Sequence, residues 1–291
     1  MPKNPRTAHN LPGLPQNERM QQVLQMLETR DSVQVTELAE TFSVSEVTIR
    51  SDLTELARQG LVARVRGGVR PLDRGNSELG FDFRLGLEVD RKRAVAREAA
   101  KLIGDGEAIA LDASTTAYYL ALELRSKREL VVVTNGILIA ASLADAPGIN
   151  VLVTGGMLRL SAMSLVGDLG ADLLKATRIN KGFLGARGLS LERGLMDLNP
   201  DEVRIKKDMA TACERVIAII DGSKWHRSAL LTFVPAESVD TIVTDETAPP
   251  DQVRAWANAG VEVVIAEVEE GERPAVKPIE LRRFPRGGNG S

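Results

Sequence analysis

One short stretch of this chain concentrates groups able to grip an anion. Leu111-Asp112-Ala113-Ser114-Thr115-Thr116 follows the apolar run Ala108–Leu111 and opens a helical pattern over Ala117–Leu124. Hydroxyls beside unpaired backbone N–H groups at a helix N-terminus form an anion site. Simple N-capping by Ser114 or Thr115 accounts for the same residues. Two later apolar runs end in the same manner, at Val133-Thr134-Asn135-Gly136 and Val153-Thr154-Gly155-Gly156. Ligands in open α/β sheets bind outside the carboxyl ends of the strands. Three consecutive strand ends of small and polar residues therefore imply one crevice, although a glycine pair also serves a plain turn. Lys224 closely follows the run Val216–Ile220 and can bring an ammonium to the same rim. Lys206 falls on a helical pattern, where a solvated lysine is the commoner explanation. Asp221 can cap, bind a ligand hydroxyl or pair with Lys224.

A second chemistry sits near the N-terminus. With Val47 at zero and about 100 degrees per residue, Ile49, Leu53, Leu56 and Ala57 share one face of a helix. Val47, Thr48, Ser51, Thr54 and Arg58 point the other way, with Arg50 at the edge. Small hydroxyls, one apolar side chain and an arginine suit base edges, a thymine methyl and a phosphate. Ser45 can cap this helix. Arg64 and Arg66 follow on a short alternating stretch that turns at Gly67-Gly68, and with Arg58, Arg70 and Arg74 they make a local basic patch opposed only by Asp73. Residues 17–70 as a whole carry seven Arg against eight Asp and Glu, so the wing, not the module, is the expected phosphate contact. A helical subdomain for docking a partner is the alternative reading.

The elements that must position these groups fall into two textures. Residues 16–71 read as three short helices and a hairpin, a winged helix-turn-helix with its helix-turn-helix at about 33–52. Asn17 and Thr36 are the expected caps of the first two helices, and Gly60 the stop of the third. From Arg91 to about residue 270, helical patterns alternate with the short runs Ala108–Leu111, Leu130–Val133, Val151–Val153, Val216–Ile220, Thr241–Val243 and Val261–Ile265, which is an α/β sheet with helices on both faces. Residues 1–15 read as a flexible leader, 72–90 as a linker and 271–291 as a disordered, weakly basic tail.

Composition excludes much else. The chain has 291 residues, 43% hydrophobic and 26% charged, enough for about two domains. One cysteine, Cys213, allows neither an intrachain disulfide nor a cysteine-cluster zinc site, and two histidines allow no His-rich metal site. A Ser-His-Asp triad would rest on His226, which sits between two cationic neighbours rather than beside a carboxylate orienter. Aromatic residues at 3% are too few for a base-stacking platform. No run is long enough to span a membrane, and no secretory signal pattern opens the chain, so the expected location is cytoplasmic. No cofactor is implied.

Arg19, Val23 and Leu27, then Ser45 and Thr48-Ile49-Arg50-Ser51-Asp52-Leu53, continuing through Gly60-Leu61 to Arg64-Val65-Arg66-Gly67-Gly68, resemble the signature of DeoR-type bacterial regulators. Ser51 stands where many members carry a second arginine, and Arg66 where many carry histidine. Beyond Arg91-Lys92-Arg93, the segments ending Ser114-Thr115-Thr116, Gly185-Ala186-Arg187-Gly188, Asn199-Pro200-Asp201-Glu202 and Asp221-Gly222-Ser223-Lys224 look like the effector domain of the same family. The resemblance implies an open sheet related to sugar-phosphate isomerases and CoA transferases, with a phosphorylated sugar as effector. It places the phosphate loop at Ser114, Thr115 and Thr116, with Asp112 in the same loop, and lines the remaining site with Asn135, Gly156, Gly185, Lys206 and Lys224. Ala113 replaces a glycine common in that loop. The expected protein is a DNA-binding regulator, a repressor of a carbohydrate operon, on double-stranded operator DNA as a dimer or tetramer. An isomerase-like enzyme fused to a DNA-binding module is the alternative, with Asp112, Glu202 or Asp221 as its base. An architectural DNA binder leaves the α/β part unexplained.

The expected DNA contacts are Ser45, Val47, Thr48, Arg50, Ser51, Arg64 and Arg66. Arg50→Ala should weaken operator binding by about 1–3 kcal/mol at one fixed salt concentration. An unchanged affinity would remove Arg50 from the interface.

Overall fold

The computed structural model describes residues 14, 16–27, 30, 32–58, 62–71 and 80–269. The leader (apart from Leu14), most of the expected linker, Gly60 and the tail lie outside these residues.

The N-terminal part runs α1 (Gln16–Leu27), β1 (Val33–Gln34), α2 (Val35–Phe42), α3 (Glu46–Arg58), β2 (Val62–Val65) and β3 (Gly68–Pro71). Its core takes Val23, Leu24 and Leu27 from α1, Leu38 and Phe42 from α2, and Ile49, Leu53 and Leu56 from α3, closed by Val62 and Val69. The periodic face of α3 is therefore the buried one, and Val47 is left 77% exposed on the other side. Ser45 Oγ accepts from Thr48 N at 3.1 Å and caps α3 as expected.

The other two caps differ. Asn17 lies inside α1, and Thr36 is the second residue of α2. No side chain caps α2, because β1 enters it directly and Val35 N donates to Gly67 O at 2.8 Å. β1 pairs with β3, giving a three-stranded antiparallel sheet of order β1-β3-β2. This third strand explains the glycine pair. Gly67 has φ +82°, and a Cβ on Gly68 would lie 2.2 Å from Val33 O.

On the buried side of α3, Arg19 Nε reaches Asp52 Oδ2 at 2.9 Å and Nη2 reaches Oδ1 at 3.2 Å. Both side chains are buried, so α1 and α3 are joined by a two-pronged ion pair away from water.

The C-terminal part begins earlier than the apolar alternation indicates. Residues 80–90, expected within the linker, hold α4 (Phe81–Leu85) and the start of α5 (Val89–Lys101), and Phe81 is buried in the α/β core. There follow β4 (Ala108–Leu111), α6 (Thr115–Glu123), β5 (Leu130–Thr134), α7 (Ile137–Leu143), β6 (Ile149–Val153), β7 (Met157–Arg159), β8 (Ser164–Val166) and α8 (Leu169–Ala176). The chain continues with β9 (Ile179–Leu184), β10 (Gly188–Ser190), β11 (Gly194–Asp197), α9 (Pro200–Ala212), β12 (Cys213–Ile219), β13 (Leu231–Val234), β14 (Thr241–Asp245), α10 (Pro250–Asn258) and β15 (Glu262–Ala266).

Seven parallel strands form the main sheet, in the order β15-β14-β12-β9-β4-β5-β6. Alternate strand residues serve its two faces. Ile109 and Leu111 join one cluster with residues of α5, α6 and α7, while Ala110 joins the other with residues of α8, α9 and α10. The six expected runs are all strands of this sheet. The seventh, β9, lies at its centre and was not expected, because Asn180, Lys181 and Gly182 interrupt its apolar pattern. Lys181 pairs with Glu107 at 2.7 Å, and Gly182 leaves room for the Cys213 thiol. A small antiparallel sheet of order β10-β11-β13 and the hairpin β7–β8 complete the part.

Removing one member of a buried ion pair strands the other charge. Asp52→Ala should therefore cost about 3–5 kcal/mol. Amide exchange over residues 46–58 measures this, and unchanged protection would mean that the pair does not hold α1 to α3.

Candidate functional site

The strand order reverses between β4 and β9. The chain proceeds from β4 outward to β5 and β6, then returns to the other side of β4 and builds β9, β12, β14 and β15. Such a switch point leaves a cleft outside the carboxyl ends of the two adjoining strands. An open crevice lies there. Ser114, Thr115 and Thr116 enter it from the end of β4, Gly185 from the end of β9, Lys206 from α9 and Lys224 from the turn after β12.

The loop after β4 is held from beneath. Asp112 is fully buried; its Oδ2 accepts from Gly185 N at 3.0 Å and its Oδ1 from Ser114 N at 3.3 Å. Ser114 Oγ caps α6 by accepting from Ala117 N at 3.1 Å. Thr115 and Thr116 are the first two helical residues, whose N–H groups have no acceptor within the helix. Gly185 makes the close approach possible, since a Cβ there would stand 2.5 Å from that of Ser114.

Lys206 is not a solvated lysine. It is 5% exposed and bonds Asp197 Oδ2 at 2.6 Å and Gly185 O at 2.9 Å, with Asp112 Oδ2 at 3.1 Å. Burial works against its charge, but the carboxylates of Asp197 and Asp112 prevail and hold its pKa above the ordinary value. Burial likewise opposes ionised Asp197, yet Lys206 and Arg187 bring its pKa down to about 2. Asp112 and Lys206 thus shape the floor.

Asn135 and Gly156 do not line the crevice. Asn135 is buried behind it, where its Oδ1 accepts from Ala113 N at 3.0 Å and its Nδ2 donates to Leu165 O at 3.3 Å. Gly156, at φ +119°, turns the chain into β7, with Val166 O only 2.3 Å from where a Cβ would sit. The ends of β5 and β6 lie on the far side of β4 from the switch point. Three strand ends do meet there, but they are those of β4, β9 and β12.

Residues outside the expected set complete the walls. Arg84 and Glu88 come from the α4–α5 segment, and Arg187 and Asp197 from the small sheet. No periodicity marks them, because they meet only in the fold. Glu202, also in the wall, accepts from Arg159 Nη1 at 2.7 Å and from Ser164 Oγ. Asp221 is fully buried. Its Oδ1 accepts from Ser223 N at 3.0 Å and from the Ser223 hydroxyl, and its Oδ2 has no hydrogen-bond partner. Lys224 Nζ stands 3.8 Å from that Oδ2. Burial opposes the Asp221 charge, and the cations Lys224 and Lys92 outweigh it and lower its pKa.

Lys92 faces the same space. Burial pulls its pKa down from 10.5 to about 7, with Asp221 acting in the opposite direction and Lys224 and Arg84 adding to the fall.

On the N-terminal part, Ser45, Val47, Arg50, Ser51, Arg64 and Arg66 are exposed and Thr48 is half-buried. Ser45 and Thr48 share a hydroxyl contact at 2.9 Å, and Arg50 pairs with Glu46 at 3.0 Å. Arg64 does not simply project from the wing. Its Nη1 donates to Thr54 Oγ1 at 3.0 Å and to Arg50 O at 3.3 Å, which ties β2 to α3.

Among the described residues, no helix is long and apolar enough to cross a membrane. Residues 19–74 match the family model for a DeoR-like helix-turn-helix domain, and residues 87–246 match that for a DeoR C terminal sensor domain. The putative aga operon transcriptional repressor of Escherichia coli O157:H7 is 36% identical over 251 residues, 86% of this chain and 93% of that protein. The HTH-type transcriptional regulator GolR of Listeria innocua is 33% identical, over 86% of this chain and 98% of its own. The glycerol-3-phosphate regulon repressor of Escherichia coli K12 is 30% identical, over 81% and 92%. Among solved structures, ribose 5 phosphate isomerase A from Neisseria gonorrhoeae aligns over 46% of this chain and 52% of its own, at 18% identity and a TM-score of 0.36, a likeness too slight to carry an inference.

An unfolded Lys92 keeps its proton to about pH 10, whereas the buried amine starts to lose it near pH 7. The unfolded chain binds more protons across that window, so stability rises with pH. Relative to Lys92→Met, the wild type should gain about 2 kcal/mol from about pH 7 to about pH 9. Urea unfolding at several pH values checks this; a constant difference would place the amine in its ordinary charged state.

Proposed function

This chain belongs to the DeoR family of transcription regulators, and we propose that it represses a carbohydrate operon and leaves its operator when a phosphorylated sugar fills the crevice. The observation that carries the reading is the placement of the Ser114–Thr116 helix N-terminus and Lys224 around one cleft at the switch point. First-turn N–H groups and a facing ammonium favour a dianion. Because Ser114 Oγ is engaged as a cap, the phosphate is assigned to the N–H and hydroxyl groups of Thr115 and Thr116, with Lys224 opposite. Asp112 and Lys206 act beneath the site by fixing the loop and Gly185. The relatives named for the aga operon and the glycerol-3-phosphate regulon support a carbohydrate-linked effector.

On the DNA side, the exposed start of α3 enters the major groove. Val47 meets a thymine methyl, Ser45, Thr48 and Ser51 supply hydroxyls, and Arg50 with the wing residue Arg66 contacts base or phosphate. Arg64 is assigned to holding the wing against α3 as well as to the backbone. Two copies on paired half-sites, acting in the cytoplasm, are the natural working form. The isomerase reading is not favoured: Asp112 and Glu202 are tied into ion pairs and hydrogen bonds, and Asp221 is wholly buried. We assign no catalytic role.

Thr115→Val together with Lys224→Ala should leave operator affinity unchanged and raise the sugar-phosphate concentration for half-release at least about tenfold, since charge-assisted bonds contribute about 1.5–3 kcal/mol each. Fluorescence anisotropy of labelled operator, titrated with a panel of hexose and triose phosphates, reads both quantities. Equal release from wild type and variant would move the phosphate site elsewhere.

A further inference from the structure

Lys92 sits in α5, 3% exposed, and its placement links the crevice to the N-terminal part. Its ammonium donates to Leu87 O at 2.6 Å and to Arg84 O. Two of its three donors thus close the turn between α4 and α5. That turn is tight. Glu88 takes a left-handed φ of 49°, and Leu87 N donates to Arg84 O at 3.3 Å. Leu87 itself packs against the core of the winged part, while Arg84, Leu87, Glu88 and Lys92 all line the crevice. One buried side chain therefore holds the segment that touches both parts. The same ammonium feels the Asp221 carboxylate, whose Oδ2 lacks a hydrogen-bond partner, and the cation of Lys224.

We propose that Lys92 is the positioning residue through which an anion in the crevice acts on residues 84–88. In the DNA-bound form the ammonium holds the carbonyls of Arg84 and Leu87. In the released form it turns to the anion, the turn loosens, and Leu87 no longer keeps its seat on the winged core. A ligand shifts such an equilibrium only by its differential affinity for the two forms. A dianion supplies that difference, because only in the second form does it gain a charge-assisted bond from Lys92. The proposal rests on the anion reading of the crevice, and its test separates the two.

Amide hydrogen exchange on the full chain, with inorganic phosphate as the probe and chloride at equal ionic strength as the control, follows both regions together. Phosphate should slow exchange at residues 113–117 and speed it at residues 84–92 by roughly tenfold, as for a local opening. Lys92→Met should show the faster exchange at 84–92 without phosphate and no further change with it. A merely structural lysine would give the variant's loss of protection while phosphate left residues 84–92 of the wild type unchanged, and that result overturns the proposal. So does a variant whose residues 84–92 stay as protected as the wild type's. Absence of any phosphate effect at 113–117 overturns the anion reading, and with it the release. Should Lys92→Met fail to fold, the phosphate and chloride arms on the wild type still decide between a coupled and a merely structural lysine.

Discussion

A lysine buried between two aspartates carries the architecture of the crevice. Lys206 draws together Asp112 at the end of β4, Gly185 at the end of β9 and Asp197 at the end of β11. Its ammonium also lies 4.9 Å from the Phe233 ring, which closes the apolar side. An isolated charge at this depth would cost several kcal/mol, and only full pairing offsets that. The loop that presents Thr115 and Thr116 is thus placed by an ionic joint, and its amides are held from beneath, Ser114 N by Asp112 and Ala113 N by Asn135. The first turn of α6 and Lys224 face the cleft, beside Arg84, Glu88, Lys92 and Arg187.

The N-terminal part uses the same device in the Arg19–Asp52 pair. There it fixes α3 to α1, whose packing through Val23, Leu24 and Leu27 is apolar and therefore less directional. Both parts place a charge-assisted joint beneath the surface proposed to meet the ligand. The ion pairs add directional specificity to the packing at these places.

Periodicity was enough for α3 and for six of the seven strands, because half-buried helices and fully buried strands write their environment into residue order. β9 escaped because a lysine and a glycine serve local neighbours at the middle of the sheet. The cap of α2 is illegible because a two-residue strand, too short for any window, leads straight into the helix, and the turn at Gly67 supplies the acceptor for Val35 N. Around the crevice, Ser114–Thr116 and Lys224 are legible from the residues alone and Gly185 only from the family resemblance, whereas Asn135 and Gly156 end strands on the other flank of β4. Sequence order runs β4, β5, β6, yet the cleft opens toward β9, and only long-range pairing decides that. Lys206 shows the same limit: a lysine on a helix reads as solvated until the two carboxylates facing it are known.

The bond from Val35 N to Gly67 O has a further consequence. It joins the tip of the wing to the first turn of α2 through a single peptide contact, and β1 pairs with β3 beside it. Arg64 makes the corresponding tie to α3. The hairpin is thus clamped near its turn by two ties, one to α2 and one to α3. Under the proposed DNA contacts, a duplex would meet α3 and the wing as one tied template, with the distance between groove and backbone contacts held by those ties. Tolerance for operators of unusual groove width must then come from deformation of the DNA, so the helical stiffness of the operator becomes part of what the protein recognises.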